Sequence, residues 1–148
     1  MSNFIIWITG KSGSGKSSIA RKLKDYYQNS IILEGYNIFK DLNIDLRSRM
    51  LILANISYLL SKHFIVIVPS VSPLKEIRKI IKKNSPVKFF EIFLSSKIIK
   101  RNDKFSKFVD SIYKPSDNYD LVVNTSLHNI EQCVRIITDY VNKNIQGE

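Results

Sequence analysis

The chain has one cysteine, Cys133, with only five glycines and four prolines among its 148 residues. A lone thiol excludes an internal disulfide framework. Acidic residues are also scarce, 13 Asp and Glu against 23 Lys and Arg, for a formal net charge of +10. No apolar run approaches the ~20 residues that a membrane-spanning helix needs, and no charged-then-apolar start precedes a cleavage pattern. The expectation is a cytoplasmic chain without a membrane partner. The two histidines, His63 and His128, lack acidic or cysteine neighbours at ligand spacing, which argues against a metal site built on them. No internal repeat or simple-sequence linker is present before Asn144 to Glu148, so residues 1–148 are expected to form a single domain. At this length folding buries roughly 70% of the unfolded chain's surface, enough for a core without staples. The excess of positive charge fits nucleic acid, an anionic membrane or polyanionic nucleotide ligands, and charge alone does not choose among them.

Short apolar runs rich in β-branched residues occur at Phe4 to Ile8, Ile31 to Leu33, Phe64 to Val68, Phe89 to Leu94 and Leu121 to Val123. Each reads as a buried strand. Between them, apolar residues recur at helical spacing: Ile19, Leu23 and Tyr26 or Tyr27, then Met50, Leu53, Ile56 or Ser57 and Leu60. Pro73 after Ser72 reads as the opening of a third helix whose inner face carries Leu74, Ile77, Ile80 and Ile81. A last helix is expected from about Asn129 to Val141, with Ile130, Cys133 or Val134, Ile137 and Val141 inward. Strands alternating with helices imply an α/β fold, here a five-stranded parallel sheet with helices on both faces.

Gly10-Lys11-Ser12-Gly13-Ser14-Gly15-Lys16-Ser17 fits G-x-x-x-x-G-K-[ST] and lies between the first strand and the first helix. Glycines at 10, 13 and 15 allow the backbone to curl until its N–H groups form an anion nest, reinforced by the helix N-terminus. Lys16 then neutralises phosphate charge and the Ser17 hydroxyl is placed for Mg²⁺. This loop predicts ATP or another nucleoside triphosphate as ligand. No guanine-reading N-K-x-D occurs, and the run Phe64 to Val68 continues into Pro69 and Ser70 rather than an aspartate. Those absences argue against switch GTPases and motor ATPases and leave the small kinases.

Further segments follow the phosphate loop in a specific order. Ile6-Trp7-Ile8-Thr9-Gly10 leads through the loop to Ser18; Leu33-Glu34-Gly35-Tyr36-Asn37 ends the second strand; Val71-Ser72-Pro73 with Lys75 and Arg78 follows the third. Glu91-Ile92-Phe93-Leu94, Lys100-Arg101-Asn102 and Leu121-Val122-Val123-Asn124-Thr125-Ser126 complete the series. In this succession the chain resembles the adenylylsulfate (APS) kinase family of phosphate-loop kinases, as a short, divergent member. The resemblance implies transfer of the γ-phosphoryl group of ATP to a nucleotide's ribose 3′-hydroxyl, with Mg²⁺, and a family that is commonly dimeric. By carry-over, Lys11, Ser12, Ser14 and Ser18 join the loop glycines, Lys16 and Ser17 in holding ATP, with Arg101 flanking the adenine and Thr125 near the base.

Where the family has Leu-Asp-Gly-Asp-Asn, this chain carries Glu34 for the first carboxylate and Tyr36 for the second. A tyrosine with a reference pKa of ~10 is no ionised ligand or base at neutral pH. Glu34 is therefore the expected catalytic and metal-associated carboxylate, with Asp41 or Asp45 as nearby substitutes and an ordinary strand-end carboxylate as the alternative reading. On the acceptor side Asn37, Phe39, Arg47 or Arg49, Ser72 and Lys75 are the candidates. The expected lid, about residues 97–112, is shorter than the family's and lacks its Phe-Thr-Gly, which leaves Phe105, Phe108 and Tyr113 as aromatic candidates. The donor side is kept and the acceptor side rewritten, pointing to an activated nucleotide other than APS, such as cytidine diphosphoramidate in bacterial surface-polysaccharide modification. The rivals are a nucleic-acid end kinase and a non-catalytic ATP-binding module; nucleic acid is not the expected partner.

Ser72 precedes Pro73, as an ordinary helix N-cap does, although the family sometimes assigns a phosphoserine there. Trp7 is expected to pack within the first strand or to shape the acceptor wall. Cys133 is expected in the core. The cations of the third helix, including Lys75, Arg78, Lys79 and Lys82, fall mostly opposite its apolar face and read as solvated. Those of the lid segment, Lys97, Lys100, Arg101, Lys104 and Lys107, are suited to drawing in nucleotide phosphates.

Overall fold

The computed structural model describes residues 2–97 and 103–145. Phe4–Thr9 forms β1, buried at every position, which explains its unbroken apolar sequence: both faces of a central parallel strand are covered. β2 (Ser30–Ile32), β3 (Ile65–Pro69), β4 (Lys88–Ser95) and β5 (Leu121–Asn124) complete the sheet. Its order is β2-β3-β1-β4-β5 and every pairing is parallel. Among the described residues six helices accompany it: α1 (Lys16–Tyr26), α2 (Gly35–Phe39), α3 (Leu46–Leu60), α4 (Lys75–Asn84), α5 (Lys104–Ser111) and α6 (Ile130–Ile145). The expected α/β fold with a five-stranded parallel sheet is the observed one.

Period-two alternation divides β1 between two cores. Phe4, Ile6 and Ile8 pack with Ile19 and Leu23 of α1 and Cys133, Ile137 and Val141 of α6. Ile5 and Trp7 pack on the opposite face with Met50 and Leu53 of α3 and Ile77 and Ile81 of α4. Because β1 has β3 on one side and β4 on the other, chain connections diverge beyond its C-terminal end. Parallel sheets open their binding crevice at such a switch point. The phosphate loop leaves β1 there.

Several local expectations are corrected. Ser72 does not cap α4: the helix begins at Lys75 with Leu74 as its N-cap, and Ser72 is a buried residue at φ +40°. Ile80 faces outward, 42% exposed. The α4 cations are not simply solvated either. Lys75 pairs with Asp117 at 2.8 Å and Lys82 with Asp120 at 2.7 Å. Between them Arg78 is 2% exposed and pairs through Nε with the buried Glu91 at 3.1 Å. Its guanidinium also donates to the Ser72 carbonyl at 2.6 Å, the Ser116 hydroxyl at 3.1 Å and the Lys114 carbonyl. Positions 75, 78 and 82 share one helix stripe. That stripe clamps the segment running from α5 into β5, and Asp120 adds a bond from the Glu91 amide at 2.7 Å.

The short helices α2 and α5, of five and eight residues, are too short for an apolar period to mark them in the sequence. α5 is started by Asp103, whose carboxylate accepts from the Ser106 amide at 3.0 Å, the side-chain cap that satisfies an otherwise orphaned first-turn donor. Among the described residues, no helix is long and apolar enough to cross a membrane.

Candidate active site

The loop from Gly10 to Gly15 joins β1 to α1, and its shape demands glycine at particular places. A Cβ on Gly10 would lie 2.6 Å from the Leu94 carbonyl oxygen, at φ +148°. Gly15 sits at φ +98° as the α1 N-cap, and its carbonyl accepts from the Ile19 amide at 3.0 Å. Lys16 folds back over this arc: Nζ donates to the Gly10 and Lys11 carbonyls, each at 2.8 Å, and reaches the Ser14 hydroxyl at 3.4 Å. The ammonium is thereby held at the mouth of a nest of amides backed by a helix N-terminus, an arrangement suited to polyphosphate. Lys11 is exposed while Ser12 and Ser14 are buried in the loop wall.

A cleft of about 400 Å³ opens on one side of the loop. Ser12, Gly13, Gly15, Lys16, Ser17 and Ser18 line its donor end; Glu34, Tyr36, Asn37, Phe39, Arg49, Ser72 and Phe105 line the rest. Glu34 caps α2, and its Oε2 accepts the Asn37 side-chain amide at 2.6 Å. Among the described residues it is the one carboxylate lining this cleft. Asp41 is exposed, and Asp45 is engaged as the N-cap of α3, accepting from the Ser48 amide at 2.8 Å. That bond holds the Asp45 carboxyl below the ordinary carboxylate pKa.

Of the two candidate arginines, Arg49 lines the cleft and Arg47 is exposed outside it. Arg49 donates to the Ile44 and Leu42 carbonyls at 2.7 and 2.8 Å. Its guanidinium carbon lies 5.2 Å from the Phe105 ring centre and 5.9 Å from that of Phe39, within cation–π range. The cleft wall thus carries both the phosphate loop and a cation within reach of two aromatic rings, with Met50 and Leu53 among its apolar lining.

Lys75 and Tyr113 are not brought to this cleft. Lys75 is taken by Asp117 on the surface. The Tyr113 hydroxyl sits between the hydroxyls of Thr9 (2.9 Å) and Tyr119 (3.0 Å), and the Arg78 guanidinium carbon lies 4.7 Å from the Tyr113 ring centre. Burial raises its pKa well above the ordinary phenol value. The Ser72 hydroxyl accepts the Trp7 indole N–H at 3.0 Å, lies 3.3 Å from the Thr9 hydroxyl and contacts the Ser70 carbonyl at 3.0 Å. Trp7 stacks on Phe89 at 5.7 Å, so it supports the wall from behind. Ser72 and Pro73 line the cleft, while the Ser72 hydroxyl is committed to this buried network.

Thr125 lines a second cleft of about 510 Å³ on the other side of the loop, with Ser96, His128, Asn129 and Glu131. Both clefts share Gly13, Gly15 and Ser18, so the phosphate loop divides them. Arg101, proposed to flank the base, lies outside the described residues, as do positions 98–102 of the expected lid. Among residues that sequence reasoning missed, Asp110 of α5 accepts from the Ser12 amide at 2.9 Å, and Ser106 and Val109 join the cleft wall. No spacing or composition signal singles these out, because each acts across a large sequence separation.

Comparison with known proteins points to one family. Residues 2–120 match the sequence model of the family described as adenylylsulphate kinase. The chain is 30% identical to an adenylyl-sulfate kinase of Clostridium kluyveri, covering 96% of this chain and 85% of the relative. It is 29% identical to that of Bacillus licheniformis, covering 93% and 84%. The solved structure of the Mycobacterium tuberculosis APS kinase CysC in complex with AMPPNP and APS superposes with a TM-score of 0.80 at 25% identity, covering 95% of this chain and 98% of that one. The phosphate loop, the parallel sheet around it and this match over most of the sequence converge: the chain belongs to the adenylylsulphate kinase family and is an ATP-dependent phosphotransferase.

Proposed function

We propose that the protein transfers the γ-phosphoryl group of ATP to the ribose 3′-hydroxyl of an activated nucleotide, and that this nucleotide is not APS but one of different head group, such as cytidine diphosphoramidate. The observation that carries the reading is one cleft lined both by Lys16 and the phosphate loop and by Arg49 with Phe39 and Phe105, the guanidinium within cation–π range of each ring. Phosphoryl transfer asks chiefly for positioning and for neutralisation of the transferred oxygens. Lys16 and the amides of Gly13 and of Gly15 to Ser17 supply the second. The aromatic pair and Arg49 orient the acceptor's base and anionic head group, and Glu34, fixed by Asn37, aligns the acceptor hydroxyl and takes its proton.

The donor set at the loop mouth suits Mg²⁺. It consists of hard oxygen ligands, the Ser17 hydroxyl and the Glu34 carboxylate, without a preformed cage of acidic, histidine or cysteine residues among the described residues. Mg²⁺ prefers one or two such ligands together with waters and substrate phosphates. When bound it supplies charge neutralisation on the β- and γ-phosphates. Tyr36 lines the cleft, 48% exposed, where the family's second carboxylate would fall, so Glu34 acts without that partner.

A cleft of about 400 Å³ is of mononucleotide size, which favours a small acceptor over a nucleic-acid end. The reading includes a cytoplasmic enzyme and a homodimer. Its test is a panel of acceptors (APS, cytidine diphosphoramidate, other activated nucleotides and a 5′-hydroxyl oligonucleotide) incubated with Mg-ATP, following ADP release and the position of the new phosphate. A 3′-phosphorylated product from an acceptor other than APS supports the proposal. Preference for APS would overturn the acceptor assignment, and preference for the oligonucleotide would overturn the nucleotide-kinase reading.

A further inference from the structure

We infer that Asp110 is a positioning residue that couples the phosphate loop to α5, so that occupation of the donor loop sets the acceptor wall. The inference rests on the donor-site reading given above. Asp110 is 8% exposed, and its Oδ1 accepts from the Ser12 amide at 2.9 Å across 98 residues of sequence. Ser12 is itself buried and immediately precedes the Gly13–Ser17 run, so the carboxylate holds the entry limb of the loop, whose next turn is closed by the Ser14 amide on the Lys11 carbonyl at 3.2 Å. Charge-assisted bonds to backbone N–H groups are the stronger and shorter class. A carboxylate beside a polyphosphate site is electrostatically unfavourable unless its geometry is used. Here that geometry ties two walls together.

The rest of α5 explains what is tied. Phe105, Ser106 and Val109 line the cleft, and Asp110 follows Val109 on the side turned to the loop. Beyond the helix the chain is fixed again: the Lys114 amide donates to the Pro73 carbonyl at 3.0 Å, and the Tyr113 hydroxyl meets Thr9 at 2.9 Å. With that end held and Asp110 on Ser12, Phe105 is carried against Arg49 at 5.2 Å. Ordering the phosphate loop around a nucleotide therefore orders α5 through one hydrogen bond, and the aromatic wall for the acceptor follows.

Hydrogen exchange of the peptide covering 104–111 tests this without knowledge of the acceptor. The full chain is measured with and without saturating AMPPNP, a non-hydrolysable ATP analogue, as wild type, Asp110→Ala and Asp110→Asn. In wild type AMPPNP slows α5 exchange roughly 10-fold or more, the scale of one charge-assisted bond. Asp110→Ala loses that response while its AMPPNP affinity stays within about 3-fold of wild type, because the inner amides remain. Asp110→Asn keeps the acceptor oxygen and regains most of the response, which a general loss of folding would not allow. An undiminished response in Asp110→Ala, or no recovery in Asp110→Asn, overturns the inference. Failure of AMPPNP to bind wild-type protein overturns the donor reading, and this inference with it, and is distinguishable because no variant is then needed.

Discussion

Replacing Arg78 with Met removes a buried cation that makes four hydrogen bonds while preserving much of its aliphatic volume. The guanidinium is 2% exposed and serves Glu91, Ser72, Ser116 and Lys114 at once. After substitution the 5%-exposed Glu91 keeps, among the described residues, the Ser116 hydroxyl at 2.7 Å as its side-chain donor. Removing one partner of a buried pair leaves an uncompensated charge and destabilises by about 3 to 5 kcal/mol. For a chain of this size that corresponds to a fall in Tm of roughly 6 to 20 °C. Urea unfolding at pH 7, followed by circular dichroism, measures the loss directly. The double variant Arg78→Met/Glu91→Leu should recover a large part of it, since no orphaned carboxylate remains. A loss under about 1 kcal/mol, or a double variant as unstable as the sum of the two single ones, would refute the reasoning that this pair is a buried, mutually dependent unit.

Gly10→Ala should destabilise by about 3 kcal/mol and weaken AMPPNP binding, because the added Cβ meets the Leu94 carbonyl at 2.6 Å in a left-handed backbone region; urea unfolding and calorimetric titration check both. The Asp45 carboxyl is held below its ordinary value of 3.8 chiefly by the Ser48 amide, so its stabilising share is present above that pH and is lost as pH falls through the lower folded value. Asp45→Asn, which keeps the cap but not the charge, should thus be less stable than wild type at neutral pH and converge with it in acid, once the pH has fallen below the lowered folded-state value, as read from urea midpoints. Burial pushes the Cys133 thiol pKa up, and native protein should react with a disulfide reagent only on unfolding, at a rate that follows denaturant rather than reagent concentration.

The parts of the fold that were legible in the sequence are those dictated by nearest-neighbour chemistry. The phosphate loop announces itself because backbone curvature requires glycine at set positions, and β1 because a strand covered on both faces must be apolar throughout. α2 and α5 escaped notice because five and eight residues are too few to show an apolar period, and α5 leaves Phe105 and Phe108 exposed. Arg78 is illegible for a different reason. A cation three residues from Lys75 on a helix reads as solvated unless its partner is known, and that partner, Glu91, sits in β4 among apolar neighbours. Ser72-Pro73 imitates a helix start, but the Trp7 indole and Arg78 claim the Ser72 hydroxyl and carbonyl instead. Arg49 and Arg47 could be told apart only by the turn of α3, which directs Arg49 to the cleft.

The central claim is that this loop and cleft move a phosphoryl group from ATP to a nucleotide hydroxyl. It is tested most directly by ADP release from Mg-ATP with each acceptor of the panel, comparing wild type with Lys16→Ala. Acceptor-dependent turnover on the scale of ~1 to 10 s⁻¹ in wild type, falling by at least about 100-fold in the variant as charge stabilisation is removed, is the predicted result. No acceptor-dependent ADP release in wild type, or turnover untouched by loss of Lys16, would contradict it.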